Sequence, residues 1–280
     1  TSSCCDRDEP YGTCVLVRVL VQCLSREQEA IMNDPYANFA ERYDLFFGAF
    51  DEHDPRKVEF FRQLFERHGV KRILDCACGT GRDLHLFSKL GVEAFGSDVS
   101  PSMLAQAERN LASHGLQVPL AEVDYRELPF TFATRFDAVV CLASAHFEMP
   151  DENELTRAFT SMRDVLRPGG VLVVSSGMSD KTWHEKPRFI PEVNRDDFTR
   201  LFVIDYLDTG ARFNVLDLPH SGEKNVMHVW SITYKKIFLH DDVEMSLKRA
   251  GFSSCTFYGS HLFEPYEKKT SQMLIAVAVN

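Results

Sequence analysis

The sequence predicts an α/β protein: a doubly wound, mostly parallel sheet with an inserted antiparallel cap. Three observations lead there. Apolar runs without alternation recur between helical stretches, at Ile73-Leu74, Val92–Ser97, Phe136–Leu142 and Val171–Ser175, as expected of parallel strands buried on both faces. The first run ends in an acid and a two-glycine turn, Asp75-Cys76-Ala77-Cys78-Gly79-Thr80-Gly81-Arg82-Asp83, that opens a helix. Between residues 178 and 236 the pattern changes to alternation, the mark of strands with one buried face.

Residues 1–31 carry one apolar run, Val15-Leu16-Val17-Arg18-Val19-Leu20-Val21, which Arg18 interrupts and which is too short to span a bilayer. No convincing signal-peptide cleavage site follows it. From Pro35 to Gly69 the spacing predicts two packing helices, with Phe39, Tyr43, Phe46 and Phe47 on one and Val58, Phe61, Leu64 and Phe65 on the other. The two-glycine turn comes next. Its glycines let backbone N–H groups approach a ligand that a Cβ would hold off. The second strand ends at Asp98, whose carboxylate can accept both hydroxyls of a ribose. A nucleoside crevice at the carboxyl ends of two adjacent strands follows.

A third apolar run leads into Asp124-Tyr125-Arg126, and a fourth covers Phe136–Leu142. Leu166-Arg167-Pro168-Gly169-Gly170 predicts a helix stopped and reversed into a fifth strand. In the cap region, Leu201–Tyr206 and Arg212–Asp217 flank Asp208-Thr209-Gly210, a hairpin signal, and Val226–Tyr234 continues the alternation. A helix near Asp241–Ala250 ends at Gly251. Strands at Cys255–Leu262 and Met273–Val279 then return the chain to the main sheet.

The turn argues against a dinucleotide. A G-x-G-x-x-G fingerprint has a third glycine where this chain has Leu84, and Asp75 and Asp83 would repel a diphosphate. They suit a ligand with an ammonium and a sulfonium. The chain thus resembles the class I S-adenosylmethionine-dependent methyltransferases, whose signature reads acid-x-x-x-Gly-x-Gly. The resemblance covers roughly residues 36–177 and implies a seven-stranded, Rossmann-like sheet. It implies S-adenosyl-L-methionine as cofactor, held by Tyr43, Asp75, Ala77, Gly79, Gly81, Asp98, Val99, Met103, Asp124, Tyr125 and Leu142. Asp124 would take the adenine amino group. Tyr43 would cover the methionine end, with plain packing as its other reading.

Within that family the chain is most similar to the glycine N-methyltransferase group, through Phe65–Asp75, Ala77–Gly81 and Phe136–Leu142. That group holds its amine with an asparagine in the loop after the fourth strand. Here the loop reads Ala143-Ser144-Ala145-His146-Phe147-Glu148, so glycine does not carry over as the acceptor. The likeness starts after Met32, which makes Met32 the expected natural start. Residues 1–31 are then an N-terminal extension, disordered or foreign to the natural chain; a partner-binding strand or helix is the alternative. Residues 32–280 form the methyltransferase domain, with a core at about 70–177, a cap at about 178–236 and a return at 237–280.

Methyl transfer is an in-line displacement that needs positioning, worth on the order of 7–11 kcal/mol in favourable systems. His146, with an ordinary pKa near ~6.5, is the candidate base and touches the acceptor. Its bland reading is a local hydrogen bond, and Glu148 would order the loop. Arg188 is the candidate partner for a substrate carboxylate, against a reading as a surface arginine. Trp183, His184, Tyr206 and Trp230 are candidates to line the cap or simply to pack.

The formal charge of −10, from 31 basic and 41 acidic residues, gives no footprint for nucleic acid. Cys76, Cys78 and Cys141 read as small buried hydrophobes, and no zinc spacing complements them. The expectation is a cytoplasmic enzyme without metal, nucleic acid or membrane partner, with homo-oligomerisation open. Its substrate would be a small-molecule acceptor, with a nitrogen nucleophile first. O-methylation, a non-catalytic S-adenosylmethionine-binding module and a nicotinamide oxidoreductase remain as alternatives.

Overall fold

The computed structural model describes residues 34–220 and 227–280. The expectations for residues 1–31 and Met32, and the start of the strand expected from Val226, lie outside the described residues.

The strap, residues 34–50, contains only a short helix α1 (Ala40–Tyr43) and a 3-10 turn, not the full helix expected. Its aromatics pack instead on the cap: the Phe39 ring stacks on Trp230 at 4.2 Å, and the Trp230 indole donates to the Pro35 carbonyl at 2.8 Å. Helix α2 (Pro55–His68) forms as expected. Asp54 caps its N-terminus, and Gly69 ends it at φ 59°, a left-handed conformation suited to glycine.

The main sheet has seven strands in the order β10-β11-β5-β4-β1-β2-β3. Its parallel part is β1 (Arg72–Asp75), β2 (Glu93–Asp98), β3 (Leu120–Glu122), β4 (Phe136–Cys141) and β5 (Leu166–Ser176). The antiparallel β11 (Leu274–Val279) pairs with β5, and β10 (Ser254–Tyr258) closes the edge. Helices α3 (Arg82–Lys89), α4 (Pro101–Ser113), α5 (Leu128–Thr131), α6 (Glu152–Asp164) and α8 (His240–Arg249) complete this layer. Ile73, Leu74, Val139, Val140 and Leu172 are fully buried at its centre. The strand order reverses between β1 and β4, the switch point beside which open α/β sheets bind ligands.

Pro168-Gly169-Gly170 does not end the helix. Helix α6 stops at Asp164, Leu166 already pairs with Phe136, and the turn is a register shift inside β5. A Cβ at Gly170 would approach the Arg167 and Asp137 carbonyls to 2.9 and 3.0 Å, which accounts for the glycine. Strand β10 ends at Tyr258, short of the expected Leu262.

The cap begins with helix α7 (Asp180–Glu185) and forms a four-stranded antiparallel sheet. Its strands are β6 (Phe189–Asn194), β7 (Phe198–Tyr206), β8 (Ala211–Pro219) and β9 (His228–Tyr234), in that order. Among the described residues, no helix is long and apolar enough to cross a membrane.

Candidate active site

A cavity of about 900 Å³ lies between the carboxyl ends of the parallel strands, the strap and the cap. On the sheet side, Ala77 and Gly79 line it after β1, and Asp98 and Val99 after β2, with Met103 from α4. Asp124 and Tyr125 follow β3, and Leu142 follows β4. Tyr43 lines it from the strap.

Gly79 has φ 51°, and its N–H donates to Asp98 Oδ2 at 2.8 Å. An added Cβ would meet only the Tyr43 ring, at 4.0 Å, so the backbone faces open space beneath that ring. The second Asp98 oxygen accepts from Ser100 N at 2.9 Å. Burial raises the Asp98 carboxyl above its ordinary value, and these backbone donors only partly oppose it. Asp124 is held by Arg126, which also reaches Glu154 at 2.6 Å. Burial alone would raise Asp124, but the hydrogen bonds from Arg126 outweigh it and hold the carboxyl below its usual range.

Four expected site residues lie off the cavity. Asp75 is buried behind the turn, 2 % exposed, and accepts from Ala77 N at 3.3 Å. Burial, then the charge of Asp83, pushes its carboxyl well above the ordinary range. Gly81 packs helices rather than facing open space: a Cβ there would press on Ala107 and Leu111 at 3.1 and 3.2 Å, at φ 83°. Arg188 is exposed and pairs with Asp205 at 3.1 Å.

His146 corrects the expectation of a base. Its side chain is fully buried, neither ring nitrogen has a partner, and it does not line the cavity. Burial pushes its pKa down to about 3, so the ring is neutral at ordinary pH and out of the acceptor's reach. The cause is the loop backbone. Ala143 and Ser144 both adopt positive φ, 52° and 69°, a costly pair for residues other than glycine. Bonds from Ser144 N to Ser175 O at 2.8 Å and Tyr125 Oη to Ala145 O at 3.0 Å fix the turn. It buries His146 and sends Glu148 into the cavity instead.

Glu148, expected only to order the loop, lines the cavity. Its side chain is exposed to the cavity's open space. Tyr36 donates to its Oε1 at 2.6 Å. Burial raises its carboxyl above the ordinary range, and the bond from Tyr36 only partly offsets this. Tyr36 and Tyr234 also line the cavity. Both phenols are raised well above their ordinary value, first by burial and then by nearby groups that include Glu148.

The cap supplies the remaining wall. Alternation puts Phe202 and Ile204 of β7, Phe213 and Val215 of β8, and Trp230, Ile232 and Tyr234 of β9 on the cavity. The ladder pairs Phe202 with Val215, Ile204 with Phe213 and Phe213 with Ile232, so they form one continuous face. Tyr206 and Trp183 pack against each other at 5.6 Å without lining the cavity, and His184 does not line it either.

A family model described as a methyltransferase domain matches residues 73–170, the stretch from β1 into β5. The chain is 30% identical over 220 residues to the dTDP-3-amino-3,4,6-trideoxy-alpha-D-glucopyranose N,N-dimethyltransferase of Streptomyces venezuelae, covering 76% of this chain and 89% of the relative. It is 25% identical over 261 residues to the glycine/sarcosine N-methyltransferase of Aphanothece halophytica, covering 90% of this chain and 92% of the relative. The crystal structure of an S-adenosylmethionine-dependent methyltransferase from Clostridium acetobutylicum shares the fold, with a TM-score of 0.71 over 87% of this chain and 98% of that one, at 20% identity. With its strand order, switch-point crevice and these likenesses, the chain belongs to the class I S-adenosylmethionine-dependent methyltransferases, near the glycine N-methyltransferase group.

Proposed function

We propose that this methyltransferase acts on the nitrogen of a small-molecule amine and that Glu148 is the group that receives it. The observation that carries the reading is a carboxylate with a tyrosine partner, set in a cavity shared by the nucleoside crevice and the cap. Relatives named for amine methylation, a glycine/sarcosine enzyme and an amino-sugar enzyme, support nitrogen over oxygen.

Asp98 takes the ribose hydroxyls, Gly79 admits the nucleoside to close approach, and Asp124 and Tyr125 border the base. Val99, Met103 and Leu142 supply its apolar walls, and Tyr43 covers the methionine end. Bound S-adenosylmethionine supplies an electrophilic methyl on a sulfonium. The amine lone pair forms the new N–C bond as the S–C bond breaks, and the released electron pair stays on sulfur. The amine must first lose its proton, and an ionised Glu148 draws the ammonium in and accepts that proton. Tyr36 orients the carboxylate. Positioning does most of the work, as this displacement needs no strong acid or base.

The test is incubation with methyl-labelled S-adenosylmethionine and a panel of amines and alcohols, with product analysis by mass spectrometry. Label on nitrogen, with turnover at least tenfold lower in Glu148→Gln, is the expected result. Label on oxygen alone, or a Glu148→Gln variant of full activity, overturns the reading.

A further inference from the structure

The part of the cavity beyond the nucleoside crevice is one-sided in both shape and charge. The cavity's volume of about 900 Å³ takes in both the nucleoside crevice and the acceptor's space under the cap. An unbroken aromatic wall runs from Tyr234 to Phe213 at 5.6 Å, on to Phe202 at 6.0 Å and to Phe46 at 5.4 Å between ring centroids. Ile204, Val215 and Ile232 fill the same face. A glycine-sized acceptor would leave this surface without a partner.

The charge is also one-sided. Besides Asp98 and Asp124 in the nucleoside crevice, Glu148, Glu185 and Glu192 line the cavity, and among the described residues Arg126 is the one lysine or arginine that does. Arg126 is already committed, bonded to Asp124 and Glu154. Arg200 stands on the inner face of the cap but not on the cavity. Asp217 takes its Nε and Nη2 at 2.6 and 2.8 Å, and the Phe46 ring covers its guanidinium at 4.2 Å. Arg188 points to Asp205 at the surface. A carboxylate or diphosphate on the acceptor would therefore enter an acidic space without a free counter-charge, an unfavourable placement.

We infer that the acceptor is an amine on a bulky apolar skeleton that bears no carboxylate or phosphate. Its nitrogen sits at Glu148, Tyr36 and Tyr234, and its skeleton lies along Phe202, Ile204 and Phe213. This rests on the nitrogen-transfer reading above and separates the chain from relatives named for glycine or for a nucleotide sugar. The tyrosine faces beside Glu148 favour an ammonium on arrival, and the aromatic wall favours a ring or branched alkyl body.

The experiment uses matched acceptors with the full chain and labelled S-adenosylmethionine. The probes are 2-phenylethylamine, phenylalanine as the same skeleton with a carboxylate, glycine, a nucleoside-diphosphate amino sugar and 2-phenylethanol. Methylation is measured as kcat/KM, and binding by calorimetry with S-adenosylhomocysteine present. The expected result is a kcat/KM for 2-phenylethylamine at least tenfold above that for phenylalanine, glycine or the amino sugar. Phe202→Ala should raise its KM at least fivefold and leave S-adenosylhomocysteine affinity within twofold. A melting curve with S-adenosylhomocysteine reports whether that variant is folded, and Phe202→Leu, with a smaller rise in KM, serves if it is not. Preferred methylation of phenylalanine, glycine or the amino sugar overturns the inference and keeps nitrogen transfer. Methylation of 2-phenylethanol alone overturns nitrogen transfer itself. Cofactor binding with neither binding nor methylation of 2-phenylethylamine overturns the inference too.

Discussion

Asp217 closes a charge cluster that joins the strap to the cap, and its removal should be felt in both stability and cofactor binding. Arg200 faces Asp217 directly across the β7–β8 ladder, with its side chain 0% exposed against 3% for Asp217. Arg42 of α1 bonds the same carboxylate from its Nε at 2.7 Å, and Arg200 Nη2 donates to the Arg42 carbonyl at 3.0 Å. Asp217→Ala leaves the Arg200 guanidinium buried without its counter-charge, where Nη1 already has no partner. Breaking a buried pair from one side costs about 3–5 kcal/mol. At about 2–4 °C per kcal/mol for a chain near this size, the melting temperature should fall by roughly 6–20 °C. The strap carries Tyr43, so S-adenosylhomocysteine affinity should fall with it. Urea and thermal denaturation, with calorimetry on the same samples, measure both. The double variant Arg200→Met, Asp217→Leu should recover much of the stability, because no buried charge remains. An Asp217→Ala variant within 1 kcal/mol of the parent chain would refute the reasoning. The pH dependence is a second check. Burial alone would raise Asp217, but the bonds from Arg200 and Arg42 outweigh it and hold its carboxyl low. A depressed carboxyl stabilises the fold above the unfolded pKa, about 3.9, and loses that contribution as pH falls through the folded value. Asp217→Ala should therefore show a flatter stability curve in acid.

Asp98→Ala should weaken S-adenosylhomocysteine binding by roughly 1–3 kcal/mol, read by calorimetry, since ribose hydroxyls lose their acceptor. Gly81→Ala should act on stability instead, lowering it by about 1–3 kcal/mol through overpacking on Ala107 and Leu111; a folded, stable variant that has lost cofactor affinity would contradict this. For His146, whose folded pKa is depressed to about 3, neutral burial stabilises the fold above the unfolded pKa of ~6.5 and that contribution drains as pH falls toward the folded value. His146→Leu should flatten the stability curve between those two pH values and keep the pH profile of turnover, and loss of one limb of that profile would restore His146 as a base. Glu148, raised by burial, should make KM for an amine climb as pH falls through its elevated pKa, and Glu148→Gln should remove that dependence.

The parallel core was legible because β1 and β4 are buried along nearly their whole length, and a mostly apolar run satisfies that environment. The hairpin at Asp208-Thr209-Gly210 was legible because its signal is local: the turn closes on itself, with Leu207 N donating to the Gly210 carbonyl at 2.8 Å. The loop after β4 was not. Alanine and serine carry no signal for positive φ, so the turn that exchanges His146 for Glu148 is invisible until Ser175 and Tyr125 are seen to hold it. The strap misled for a related reason. Its aromatics have helical spacing, yet their partners are Trp230 and Phe202 in the cap, well over a hundred residues away. One signal was available and unused. In the alternation Phe198, Arg200, Phe202, Ile204, a charged residue occupies the apolar face, and Asp217 occupies the matching place on β8.

The most direct test of the account is a crystal structure of the full chain with S-adenosylhomocysteine. It should show the ribose hydroxyls on Asp98, the nucleoside against Gly79 beneath Tyr43, and the sulfur facing Glu148. A nucleoside bound away from Asp98, or a sulfur turned from Glu148 with the cap face behind it, would contradict the account.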